Sequence, residues 1–144
     1  MPRRKKIRIV IDTNLFISFL IGKRIKGLKK SLVQSTVQLI FSEQNIEELK
    51  IVTRRPKFEK YFDKNDVDDL IDLIYAIGII EKIIDEPEIC RDPKDNFLLA
   101  LSDKGKADYL TTGDSDLLTI GEYKKTKIIT IDQLEKIVNE STRS

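Results

Sequence analysis

The chain has 144 residues, enough for one domain with a single sizeable core. At 40% hydrophobic and 35% charged with a net charge of +2, its composition is that of an ordinary folded protein and excludes a disordered or fibrous one. It has no histidine and a single cysteine, Cys90, which excludes histidine general-base catalysis, serine–histidine and cysteine–histidine nucleophiles, an intrachain disulfide and nearly every zinc site.

Charge is unevenly spread. Residues 1–30 hold ten of the 26 basic side chains (Arg3, Arg4, Lys5, Lys6, Arg8, Lys23, Arg24, Lys26, Lys29 and Lys30) against one acid, Asp12. A basic end suits a polyanion, although a charge run is equally a solvated face. The basic start before an apolar run imitates a leader, but Arg8, Asp12 and Asn14 interrupt the run and no small-residue cleavage site follows. No segment approaches the roughly 20 apolar residues of a membrane span, so a cytoplasmic protein is expected.

In chain order, Ile7–Ile11 reads as a fully buried strand, followed by a helix from Thr13 to Ile21 capped by Asp12 or Thr13. Gly22 and Gly27 bracket a basic connection into a helical stretch over 28–34. Val37–Phe41 is a second strand, after which Ser42 caps a helix that Pro56 stops. Asp63 opens a helix with Val67, Leu70, Ile71 and Ile74 on one face, ended by Gly78. The run from Ile79 to Ile84 predicts a third strand. Asp92-Pro93 starts a helix that is nearly all apolar from Phe97 to Leu101 and ends at Gly105. Tyr109–Thr111 is a strand leading into TTGDSDLL, 128–130 is another, and 131–138 is a helix. Strands alternating with helices, and written as continuous apolar runs, predict an α/β domain with a parallel sheet covered on both faces. One domain over 1–144, with its core in about 7–138, is expected.

In such sheets the working site lies beyond the carboxyl ends of the strands. Asp12, Glu47 and Glu48, Asp92 and Asp95, and Asp114 and Asp116 all fall at those ends, so every strand-to-helix junction but the last supplies acid to one rim. Each has a structural explanation taken singly. Asp12 and Asp92 are good helix caps, Asp95 is an acid in a first turn, Gly113-Asp114 is turn chemistry, and the two glutamates are ordinary surface residues. The convergence has no such explanation. Two carboxylates about 5 Å apart repel by roughly 3 kcal/mol at an effective dielectric near 20. Either their pKa values rise or a divalent cation binds. Oxygen ligands alone point to Mg²⁺ or Mn²⁺. Ile46, Leu49 and Val52 set the buried stripe of the third helix, placing Glu48 about 100° from its centre and Glu47 about 160°. Glu48 is therefore the acid facing the rim, although Ile51 on the outer side fits the stripe less well.

The strand ending in Asp12-Thr13-Asn14, with SEQNIEELKIVTRRPKF, RDPKDNFLLAL and DYLTTGDSDLL following in order, resembles the PIN-domain family from about Ile7 to Leu134. It is most similar to the VapC-type ribonucleases, the toxins of type II toxin–antitoxin pairs. The resemblance implies a Rossmann-like three-layer sandwich with four or five parallel strands, and a metal-dependent endoribonuclease leaving 5′-phosphate and 3′-hydroxyl ends. It places the catalytic acids on Asp12, Glu48, Asp95 and Asp114, adds Asp116 as an auxiliary metal ligand, and assigns Thr13, Asn14 and Thr112 to orienting ligands and waters. Mg²⁺ or Mn²⁺, an RNA substrate, a cognate antitoxin and a homodimer are implied with it. Lys23, Arg24 and Lys26 are expected near the rim to track the RNA backbone. Ser102 departs from the small apolar residue usual in this branch. Three alternatives stand beside this reading. A haloacid-dehalogenase-type phosphatase wants an Asp where Asn14 stands. A receiver domain wants a lysine after a later strand where TTGDSD offers acids. A catalytically silent PIN-fold module would bind RNA or a protein without cutting.

Overall fold

Four β-branched residues in IRIVI form β1 (Ile7–Ile11), and in the computed structural model, which describes residues 6–143, it lies near the centre of the sheet. Arg3, Arg4 and Lys5 of the basic start lie outside the described residues. The chain continues through α1 (Thr13–Ile21), α2 (Ile25–Leu32), β2 (Val37–Phe41), α3 (Glu43–Thr53), a 3₁₀ turn at Pro56–Phe58, α4 (Lys64–Ile77) and β3 (Ile79–Ile80). It closes with α5 (Pro93–Lys104), β4 (Tyr109–Thr111), α6 (Ser115–Ile120), β5 (Glu122–Tyr123), β6 (Thr126–Ile129) and α7 (Ile131–Arg143). The strand order is β3-β2-β1-β4-β6-β5. All neighbours are parallel except β5, which pairs antiparallel with β6 at the edge.

Side chains alternate across the sheet as its pleat requires. Ile9, Ile11, Leu39 and Phe41 face a cluster with Phe16, Leu28, Leu49, Leu70 and Leu134, drawn from α1, α2, α3, α4 and α7. Val10, Ile40, Leu110 and Ile128 face the other way, onto Phe97, Leu98 and Leu101 of α5 and Leu117 of α6. The result is a Rossmann-like sandwich of three layers, with five parallel strands and one added antiparallel strand. Ser102, on α5, is fully buried and donates to the Leu98 carbonyl at 2.8 Å, so the polar substitution is satisfied within its own helix. Among the described residues no helix is long and apolar enough to cross a membrane.

Helix α6 and strand β5 are additional to the sequence expectation, and two expected elements take different bounds. The run expected as a strand to Ile84 pairs only at Ile79 and Ile80, with one further bond from Glu81 N to the Phe41 carbonyl at 2.8 Å. Its neighbour β2 ends at Phe41, where Ser42 turns the chain into α3, so residues beyond 81 have no ladder to join. Helix α2 starts at Ile25, taking Gly27 into its first turn, because Ile25, Leu28 and Leu32 form one buried stripe. At Gly78 the chain leaves α4 for β3 directly over Phe41. A Cβ there would meet the Phe41 ring at 2.6 Å and the Ile74 carbonyl at 2.7 Å, so the approach needs glycine.

Candidate functional site

Strand β1 delivers Asp12 to the carboxyl edge of the sheet, where it caps α1. Its Oδ1 accepts from the Asn14 backbone N–H at 3.0 Å and its Oδ2 from the Thr112 hydroxyl at 2.8 Å. Thr112 is fully buried, and its Oγ1 also accepts from the Asp114 N–H at 3.0 Å, tying together the tips of β1 and β4. Asp114 in turn caps α6 by accepting from the Asp116 N–H at 2.8 Å, and Asp92 caps α5 by accepting from the Lys94 N–H at 2.9 Å. Three of the rim acids therefore have a structural task at a helix start.

Asp95 has no such task. It lies in the first turn of α5, only 4% exposed, and its Oδ2 has no hydrogen-bond partner. A buried carboxylate oxygen without a partner is costly unless the group is neutral or a cation lies against it. Burial, reinforced by the negative charges of Asp114, Asp92 and Asp12, raises the Asp95 carboxyl to about 7. Burial also raises Asp12, with the bonds from Asn14 and Thr112 opposing.

A cavity of about 170 Å³ opens here, lined among others by Asp12, Thr13, Asn14, Glu48, Asp95 and Asp114. Glu47 is exposed, 3.8 Å from Lys50, and does not line it. Asp116 sits just outside the lining, yet one carboxylate oxygen from each of Asp95, Asp114 and Asp116 lies within 4.8 Å of the other two. That spacing and all-oxygen donor set, together with the unpartnered Asp95 Oδ2, fit a hard divalent cation.

Four residues here were not singled out from the sequence. Glu86, from the irregular segment after β3, lines the same cavity. Asn96 is buried; its Oδ1 accepts from the N–H groups of Ile89 and Cys90 at 3.2 and 2.8 Å, and its Nδ2 donates to the Cys90 carbonyl at 3.1 Å. This clamp fixes the segment leading into α5. Two cations reach the acids here, one from that segment and one from the first turn of α5: an Arg91 terminal nitrogen contacts Asp116 Oδ1 and Oδ2 at 3.3 and 3.1 Å, and Lys94 Nζ lies 3.1 Å from Glu48. An adjacent Asp95-Asn96 pair and basic residues bracketing Asp92 are the only traces these leave in the sequence.

Lys23, Arg24 and Lys26, expected near the rim, follow the end of α1. This helix starts at the acids and runs away from them, so residues following Ile21 lie at its far end.

A parallel sheet with acids gathered from successive strand ends into one cleft defines a Rossmann-like α/β protein with an oxygen-lined acidic cluster able to hold a cation. The family model described as PIN domain matches residues 8–116, and the chain belongs to the PIN-domain family, whose fold is generally that of a metal-dependent nuclease. The chain is also similar to the uncharacterized protein MJ1680 of Methanocaldococcus jannaschii. The two are 29% identical over 123 residues, covering 83% of this chain and 79% of that protein.

Proposed function

We propose that the protein is a divalent-metal-dependent endoribonuclease and that Asp12, Glu48, Asp95 and Asp114 are its catalytic acids. The single observation that carries this reading is Asp95, a buried carboxylate with an unpartnered oxygen facing further acids in a polar cleft. Mg²⁺ or Mn²⁺ bound there would neutralise charge on the phosphoryl oxygens and make a water more acidic. Asp12, Asp95 and Asp114 would hold it, with Glu48 and Asp116 reaching it from the edges. Thr112 orients Asp12 and Asp114 at once through its two hydrogen bonds. Thr13 and Asn14 stand in the wall of the cleft where ligands and waters would be placed. The acids also repel an RNA phosphate until their charge is balanced, which makes catalysis conditional on the ion.

The test is cleavage of a mixed pool of structured RNAs with Mn²⁺, Mg²⁺ or EDTA, alongside Asp12→Asn and Asp114→Asn. Metal-dependent cutting that both substitutions abolish supports the reading, and equal cutting by parent and variants refutes it. The finer reading, a cytoplasmic toxin restrained by a cognate antitoxin, rests on the motif resemblance. Growth arrest on induction of the chain, relieved by Asp95→Asn, is the expected result.

A silent interaction module is the second reading, favoured by the Lys94–Glu48 and Arg91–Asp116 pairs, which already neutralise two of the acids internally. Binding of RNA without cleavage under every metal would select it.

A further inference from the structure

The far end of α1, away from the acids and followed by Lys23 and Arg24, meets a second basic stretch at Ile21. Nine residues at 1.5 Å each place Ile21 about 13 Å from Asp12 along the helix. Residues 53–62, TRRPKFEKYF, hold Arg54, Arg55, Lys57 and Lys60 against one acid, Glu59. Pro56–Tyr61 line a shallow depression together with Ile21, so the end of α1 and this segment form one surface.

Its aromatic residues divide into two kinds. Phe58 and Phe62 stack with ring centres 5.9 Å apart and pack against the core, anchoring the segment. Tyr61 remains 41% exposed, with Lys60 Nζ 5.4 Å from its ring centre. Lys57 Nζ lies 5.0 Å from the Phe58 ring centre and the Arg24 guanidinium 4.7 Å from that of Phe19. Among the described residues, Arg24, Arg55, Lys57 and Lys60 make no salt bridge, whereas Lys50, Arg91, Lys94 and Lys124 each have an acid within 4 Å. An exposed ring with Lys60 beside it, in a segment whose other cations are unpaired, matches a ligand that offers phosphates and open base faces together. An acidic peptide offers the charge without the rings, and a duplex hides its base faces in the stack.

We propose that this surface is an accessory binding site for single-stranded RNA, holding the strand outside the acidic cleft. Arg24, Arg55, Lys57 and Lys60 contact the backbone, and Tyr61 stacks on a base. The proposal deepens the nuclease reading and rests on it for its role, but its test needs no cleavage.

The experiment is fluorescence anisotropy in EDTA with a labelled single-stranded 12-mer RNA and a hairpin duplex of the same length, at two salt concentrations. The full chain is compared with Arg55→Glu/Lys57→Glu and Tyr61→Ala, all at exposed positions, with circular dichroism confirming the fold. Charge reversal is expected to weaken single-strand binding at least tenfold and to flatten its salt dependence. Tyr61→Ala is expected to weaken the single strand about fivefold or more, with less than twofold effect on the duplex. Less than twofold loss on charge reversal overturns the proposal, as does equal loss for both RNAs in Tyr61→Ala. Hydrolysis of bis(p-nitrophenyl) phosphate with Mn²⁺ separates the two readings. If the parent binds RNA at this surface but hydrolyses nothing, the nuclease reading fails and the binding site stands. If the variants hydrolyse the ester as the parent does yet bind RNA normally, the accessory site fails alone.

Discussion

Asp95→Asn is expected to make the metal-free protein more stable while removing its cation site. Burial and the neighbouring acids lift the Asp95 carboxyl from 3.8 to about 7, and at pH 8 that difference corresponds to about 4 kcal/mol opposing the folded state. Asp114 shares in the repulsion, so the substitution is expected to recover about 2 kcal/mol, an upward shift in Tm of about 4–8 °C. An amide fits the volume of the carboxyl and can donate toward Asp114. The direction with pH follows from the raised value. The folded chain holds its proton more tightly than the unfolded one, so this stabilisation is complete below about 4 and is lost as pH rises through about 7. In EDTA the parent should therefore be less stable at pH 8 than at pH 5 by the larger part of this contribution, and Asp95→Asn should flatten the slope. Asp12 is raised in the same direction and leaves a smaller slope of the same sign. Urea unfolding in EDTA at the two pH values measures this, and Mn²⁺ calorimetry should show the parent binding and the variant not. A variant that is equally or less stable at pH 8 without metal would refute the account of Asp95 as a carboxylate held against its own repulsion.

Thr112→Val removes a buried hydroxyl that serves Asp12 and Asp114 together, and is expected to cost about 2–4 kcal/mol in urea unfolding; a loss below about 0.5 kcal/mol would contradict the bridging role. Lys94→Ala frees Glu48 from a partly exposed pair and should tighten Mn²⁺ binding by up to about fivefold in calorimetry, since such pairs are worth under about 1 kcal/mol. Weaker binding would instead mean that Lys94 supports the site. Gly78→Ala forces a methyl against the Phe41 ring and the Ile74 carbonyl, and a destabilisation of about 1–3 kcal/mol is expected by thermal melting, with Mn²⁺ affinity unchanged.

What was legible in the sequence was local. A β-branched run followed by a capping Asp12, the Ser42 helix cap and the Asp92-Pro93 helix start are each written in a few adjacent residues and stand where those residues place them. The sheet followed from them, because buried apolar strands alternating with helices leave few other arrangements. What was not legible depends on neighbours remote in sequence. Nothing in Ile79–Ile84 says that β2 stops at Phe41 and leaves the second half unpaired. The β5–β6 hairpin turns at Lys124 with a φ of 53°, where no asparagine or glycine announces it. The pairs of Arg91 with Asp116 and Lys94 with Glu48 join residues 25 and 46 positions apart. The place of Lys23, Arg24 and Lys26 was within reach, since a helix that begins at the rim must end away from it.

The division of labour among the rim acids bears on how the family drifts. Asp12 and Asp114 each hold up the start of a helix, so selection for folding alone retains them in a descendant that no longer cuts anything. Asp95 caps nothing and strains the fold in the absence of a cation, so once the chemistry is lost every mutation that neutralises it is favoured. Among relatives of this chain, the position of Asp95 should therefore be the first to change when activity lapses, and an intact aspartate there is a better sign of a working site than the two acids that cap helices.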